Sequence, residues 1–162
     1  MQQEPDWEAL RAAWGLDGVP VNLLRQAFSH PSYVDEHGLP ACESNQRLEF
    51  LGDAVLGLIV GEYVYRAMPG ASEGDLTSVK SLAVSRETLA EVAQRLDLGR
   101  YVLLGPQERA SGGFAKPSIL ADCVEALLGA IYLAKGLEAT RDFVLANLGS
   151  KLEELSQEGL LL

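Results

Sequence analysis

Few strand signals, two cysteines, two histidines and a shortage of basic residues set the first limits on this chain of 162 residues. Alternating apolar and polar runs are scarce, so a sheet-based fold is not expected. Cys42 and Cys123 have no metal-like spacing, and neither histidine falls in a Glu-x-x-His pattern, which argues against zinc and against a di-iron bundle. Thirteen Lys and Arg against 23 Asp and Glu leave a formal net charge of −10. That balance argues against binding nucleic acid by charge alone, but not against meeting phosphate through divalent cations held by carboxylates. The longest apolar run, around Ala54–Val60, is too short to cross a bilayer, so no membrane partner is expected. Residues 1–6 are polar and acidic and lack the pattern of a secretory signal. With only two cysteines, the expectation is a cytoplasmic protein with free thiols. There is no internal repeat or low-complexity segment, and the length suits one domain spanning 1–162.

What is present is helical periodicity. An amphipathic segment, Trp7–Trp14, is interrupted by Gly15, Gly18 and Pro20. Asn22 is placed to cap a second helix carrying Leu23, Leu24, Ala27 and Phe28, which His30-Pro31 ends; Val34 to Glu43 reads as a loop. Ser44 or Asn45 caps a long helix to about Met68, closed by Pro69-Gly70. Ser72 starts a helix to about Leu82, and Ser85 starts another from Arg86 to Leu96. The Gly99–Gly113 stretch holds only a brief extended piece, Tyr101–Leu104. Pro117 opens a helix to Lys135, Gly136 stops it, and Leu137–Ser156 is the last helix. The expected fold class is all-α, with about seven helices around one core.

Two of these helices carry acids where apolar residues belong. Glu49 and Asp53 lie four apart, on one helical face that continues into Leu56 and Val60. Asp122 and Glu125 lie three apart, flanked by Leu120, Val124, Leu127 and Leu128. A carboxylate seldom sits on a buried face unless it is paired, hydrogen-bonded or holding a metal. Four such groups brought together would repel one another unless cations neutralise them. All-oxygen ligation favours Mg²⁺, with Mn²⁺ as a substitute. The bland alternative is two surface-facing acidic pairs on amphipathic helices.

The string from Asn45 to Leu56 resembles the signature of the ribonuclease III family, and Glu73-Gly74-Asp75 followed by Gly112–Leu128 resembles its later motifs. The resemblance runs from about residue 23 to residue 148. It implies an all-α endonuclease domain, a helical bundle that forms a homodimer and cleaves double-stranded RNA with Mg²⁺. The implied products carry 5′-phosphate and 3′-hydroxyl ends, and the implied setting is the processing of ribosomal or messenger RNA. By position, Glu49, Asp122 and Glu125 resemble the metal-binding acids, with a second metal joining only once RNA phosphate arrives. Asp53 resembles the catalytic acid that orients or activates the attacking water, and Glu125 shares in catalysis through the metal. Glu73 matches an auxiliary acidic position. Gln46 stands where many relatives have glutamate; it keeps an oxygen acceptor but loses a charge. Family members from bacteria usually continue into a basic double-stranded-RNA-binding domain, and these 162 residues are expected to be the endonuclease domain without it.

Other residues carry weaker signals. Glu73, behind Ser72, is equally explained by compensation of a helix dipole. Lys80, Arg86, Arg109 and Lys116 are candidates to meet RNA phosphates, or else solvated surface charges. Gly52, Gly57 and Gly61 each cost helix propensity, which points to close helix packing within one subunit or across a dimer seam. Phe50, Leu51 and the helix with Val84 and Leu89 are the apolar surfaces expected to be available for dimerisation. His30 reads as a capping residue, His37 as exposed, and Cys123 as buried packing. Two further functions stay open at this stage: a non-catalytic double-stranded-RNA-binding scaffold of the same fold, and an all-α Mg²⁺-dependent phosphohydrolase acting on nucleotides.

Overall fold

A computed structural model describes residues 2–160; Met1, Leu161 and Leu162, the ends of the expected 1–162 span, lie outside the described residues. Eight α-helices and three short 3₁₀ turns account for the regular structure described. Helix α1, Trp7–Trp14, begins where the Asp6 carboxylate accepts the Ala9 N–H and ends at Gly15, whose φ of 65° gives a left-handed cap. Helix α2, Val21–Ala27, starts earlier than Asn22 implies. The Pro20 carbonyl accepts the Leu23 and Leu24 N–H groups, and no side chain caps this end.

The segment read as a loop from Val34 is partly helical. Helix α3, Pro31–Glu36, has Pro31 in its first turn and His30 as its cap, with the His30 ring accepting the Ser32 N–H at 3.1 Å. Pro31, expected to end an element, begins one instead. Its missing N–H costs nothing in a first turn, and an extended residue before proline is the geometry a cap needs.

Helix α4, Gln46–Ala67, and the long helix α8, Pro117–Leu160, form the central pair around which the others pack. Its opening differs in detail from the expected cap. Asn45 does not cap α4; its side-chain amide donates to the Ala27 carbonyl and toward the Cys123 thiol, tying α4 to α2 and α8. The Ser44 hydroxyl accepts the Gln46 N–H. Helices α5, Glu73–Ala83, and α6, Arg86–Arg95, start at Ser72 and Ser85 as their sequences imply, each serine accepting an N–H from the first turn.

In the glycine-containing stretch, Leu103 alone is paired: its N–H donates to the Phe28 carbonyl, and its own carbonyl accepts the His30 N–H. On the other side, the Gln2 side chain donates to the Val102 carbonyl and accepts the Leu104 N–H, filling the bonds a neighbouring strand would make. A five-residue helix, α7, Pro106–Ala110, follows; it is too short for periodicity to reveal.

Helix α8 is broken at Gly136, with φ 88° and ψ −177°, so the glycine stop is real even though the hydrogen-bonded ladder runs on. This helix also corrects the reading of apolar runs. Pro117–Gly159 is long and apolar enough by composition to cross a membrane, whereas Ala54–Val60 is not; 61% of its most apolar window is buried inside the protein, where Leu120, Val124, Leu127 and Leu128 line the core. Leu89 is likewise core, at 1% exposure, and is withdrawn from the candidate interface.

Candidate metal centre

The site lies where α4 crosses α8. Each helix brings two acids about one turn apart to the crossing: Glu49 and Asp53, four apart, on α4, and Asp122 and Glu125, three apart, on α8. Leu56 and Val60, further along the acidic face of α4, are fully buried, so the face does turn inward. One carboxylate oxygen from each of Glu49, Asp122 and Glu125 lies within 4.8 Å of the others, and all three residues are half-buried. Asp53 stands at the exposed edge, within hydrogen-bonding reach of Glu125.

Charge crowding leaves a clear electrostatic mark. Burial, then repulsion from Asp122 and a proton shared with it, push the Glu49 carboxyl up to about 7. Burial and the neighbouring Asp53 push Glu125 up to about 8. Asp122 is raised too, chiefly by burial, although Glu49, Arg86 and His30 act in the opposite direction. Acids held this far above the ordinary carboxylate range have too little positive charge beside them, a deficit that a divalent cation would fill. Three oxygen donors with this spacing fit Mg²⁺ or Mn²⁺.

Two glycines allow the helices to come this close. A Cβ on Gly52 would fall 1.6 Å from the Glu125 carbonyl oxygen, and one on Gly129 would fall 2.3 Å from that of Leu48. Backbone meets backbone at both points, which only glycine permits. Gly52 therefore serves packing within the chain. Gly61 has open space around it and Gly57 only ordinary contact with the Lys80 side chain, so the tight approach belongs to Gly52 alone among the three.

The expected site residues thus divide. Glu49, Asp122 and Glu125 converge, with Asp53 beside them. Glu73 is exposed in the first turn of α5 and is not part of the carboxylate group. Gln46 is exposed one turn before Glu49, on the rim of a cavity with Arg47, Phe50 and Leu133. Of the four cations, Arg109 pairs with Glu36 at 3.7 Å and Lys116 with Glu108 at 2.9 Å, while no ion pair engages Lys80 or Arg86 among the described residues. His30 caps α3, and Cys123 is fully buried with its thiol pushed well above its usual range by burial and the adjacent acids.

A family model described as Ribonuclease-III-like matches residues 20–152. The chain belongs to the ribonuclease III family. Among its curated relatives is Ribonuclease 3 of Tropheryma whipplei, 47% identical over 139 residues that cover 86% of this chain and 61% of that protein. Another is Ribonuclease 3 of Corynebacterium jeikeium, 49% identical over 156 residues that cover 96% of this chain and 62% of that protein. The chain therefore spans about three fifths of the length of these relatives. Among solved structures, the nuclease domain of ribonuclease III from Campylobacter jejuni superposes with a TM-score of 0.79 at 34% identity, covering 97% of this chain and all of that one. Dicer from Pichia stipitis matches with a TM-score of 0.61 at 26% identity over 83% of this chain and 56% of that one. The all-α ribonuclease III fold expected from the sequence is the fold found.

Two residues that shape the helix crossing are not evident from the sequence alone. Gly129 is four residues beyond Glu125, as Gly52 is four beyond Leu48, and in each pair the glycine of one helix meets the carbonyl of the other pair's first residue. Asn45 looked like a helix cap, and nothing local distinguishes a capping asparagine from one reaching to another helix.

Proposed function

We propose that this domain is a metal-dependent endoribonuclease that hydrolyses phosphodiester bonds of double-stranded RNA as a homodimer, leaving 5′-phosphate and 3′-hydroxyl ends. The observation that carries the reading is the convergence of Glu49, Asp122 and Glu125 within 4.8 Å at a helix crossing, in a chain of the ribonuclease III family. Glu49, Asp122 and Glu125 would hold Mg²⁺, or Mn²⁺ in its place. When bound, such an ion lowers the pKa of coordinated water and stabilises charge on phosphate oxygens. Asp53, exposed beside Glu125, is placed to orient the attacking water and accept its proton. The rigid helix crossing keeps these groups aligned without reorganisation, which is where most of the catalysis in phosphoryl transfer arises.

Homodimerisation is supported by Phe50, 81% exposed and directly beside Glu49, and Leu133, 58% exposed, which share a cavity of about 600 Å³ with Leu48 and Leu51. A twofold axis there would set two sites against one duplex, one per strand. The nuclease domain from Campylobacter jejuni is described as having a region involved in dimer formation. Free Cys42 and Cys123 accord with a cytoplasmic setting. Incubation with a labelled RNA duplex in Mg²⁺, in Ca²⁺ and in EDTA tests the activity, with the Glu125→Ala variant alongside. Cleavage in Mg²⁺ that EDTA abolishes, and a loss of at least about 100-fold in the variant, are expected. Undiminished cleavage by Glu125→Ala would refute the site, and an intact duplex under every condition would favour a scaffold. Hydrolysis of free nucleotides by a monomer would favour a nucleotide phosphohydrolase.

A further inference from the structure

Beside the carboxylate group lies a second cavity, also of about 600 Å³, between α4 and α5, reached from the site past Asp53. Asp53, Gly57 and Leu58 lie on its α4 wall, Thr77, Lys80 and Ser81 on its α5 wall, and Val84 just past the end of α5. The α5 residues fall at helical spacing on one face, so an ammonium stands between two exposed hydroxyls. Lys80 is half-buried, and no hydrogen bond or ion pair engages its ammonium among the described residues, although the chain carries ten more negative than positive charges. Seven of the thirteen Lys and Arg side chains pair with a carboxylate among the described residues, and Lys80 is one of the six that do not. Its Nζ and Cε lie 3.6 and 3.7 Å from the point a Gly57 Cβ would occupy, so the tip of the side chain lies over the α4 backbone at Gly57.

From this arrangement we propose that Lys80, flanked by the Thr77 and Ser81 hydroxyls, is a seat for the RNA phosphate next to the one being cleaved. The inference rests on the endonuclease reading above. Gly57 follows Asp53 by one helical turn, an axial step of about 6 Å for four residues, which is comparable to the step between neighbouring phosphates of one strand. A strand with its scissile phosphate at the acids therefore presents its next phosphate to Lys80. The cavity is bipolar, with the Asp53 carboxylate at one end and an unengaged ammonium at the other. A phosphate seated at Lys80 gains a charge-assisted contact and fixes the register of the strand, a positioning role rather than a chemical one.

The test compares Lys80→Met, which keeps the stem over Gly57 without the charge, with Lys80→Arg, which restores it. The readouts are cleavage kinetics of an RNA duplex in Mg²⁺ across a salt series, Mg²⁺ titration in the absence of RNA, and thermal melting. Lys80→Met is expected to lower kcat/KM by about ten- to hundredfold and to flatten the slope of log(kcat/KM) against log[salt] by about one. Mg²⁺ affinity and melting should stay within twofold and within about 2 °C of wild type, and Lys80→Arg should recover most of the loss. Two outcomes overturn the inference: an unchanged salt slope in Lys80→Met, or an equal loss in both variants, which would assign Lys80 to packing. Wild-type protein that leaves the duplex intact would instead remove the endonuclease reading on which the inference stands.

Discussion

At the residue scale, the carboxyls of the metal centre tie stability to pH. Glu49 and Glu125 are held up to about 7 and about 8 in the fold, whereas the unfolded chain ionises glutamate near about 4.3. Between those limits the folded state binds more protons than the unfolded one, so stability falls as pH rises. The contribution is complete below about pH 4 and is gone above about pH 8. In EDTA, the melting temperature should therefore decline between about pH 5 and about pH 8, and saturating Mg²⁺ should flatten or reverse that decline by replacing the shared protons. A flat metal-free profile would mean that the acids are not crowded in solution. Gln46 gives a second prediction at this scale. It is exposed at the start of α4, outside the group formed by Glu49, Asp122 and Glu125, so Gln46→Glu should shift the Mg²⁺ dependence of cleavage by less than about tenfold. A switch from inactive to active would place Gln46 inside the catalytic machinery.

Elements carry constraints that no single side chain does. Gly52→Ala drives a methyl into the Glu125 carbonyl, and backbone cannot yield as a flexible side chain can. We expect a loss of about 3 kcal/mol or more in denaturant titrations, with Mg²⁺ affinity falling in whatever fraction remains folded. Gly136→Ala meets no steric neighbour, but it forces a Cβ into a φ of 88° with extended ψ, a conformation that costs about 1–3 kcal/mol outside glycine. Equal melting of this variant and wild type would mean that the break moves elsewhere. Helices announced by caps and long periodicity, such as α5 and α6, were legible residue by residue because Ser72 and Ser85 act through their own first turns. Helices α3 and α7 were not legible. Six and five residues are too few to display a period, and in both the decisive residue is a proline whose meaning depends on which side of it the chain turns.

For the whole molecule, the proposed cleavage of both strands of a duplex calls for two copies side by side. Phe50 is large, exposed and next to Glu49, so Phe50→Glu should leave the monomer folded while shifting sedimentation from the proposed dimer toward monomer. Double-strand cleavage should then fall far more than Mg²⁺ binding, and an unaltered dimer would place the interface elsewhere. The acids and their partnership across two helices were readable from sequence because charge at helical spacing on an apolar face is a local contradiction. The exposure of Phe50 and the burial of Leu89 were not readable, since both belong to apolar patterns and only the packed arrangement says which faces remain uncovered.

The contact of Gly52 and Gly129 with opposing carbonyls has a consequence for ion size. Helices already in backbone contact cannot move closer, and the flanking core of Leu48, Val124 and Leu128 resists their moving apart. The gap between the Glu49 and the Asp122–Glu125 walls is thus nearly fixed, and side-chain rotation is the only adjustment left. Mg²⁺ needs oxygens at about 2.0–2.1 Å in a strict octahedron, whereas Ca²⁺ takes about 2.3–2.6 Å with more ligands. A site of fixed width that admits both ions holds only one in reactive geometry, so Ca²⁺ should occupy the centre, protect the fold against heat and compete with Mg²⁺ while leaving the RNA uncut.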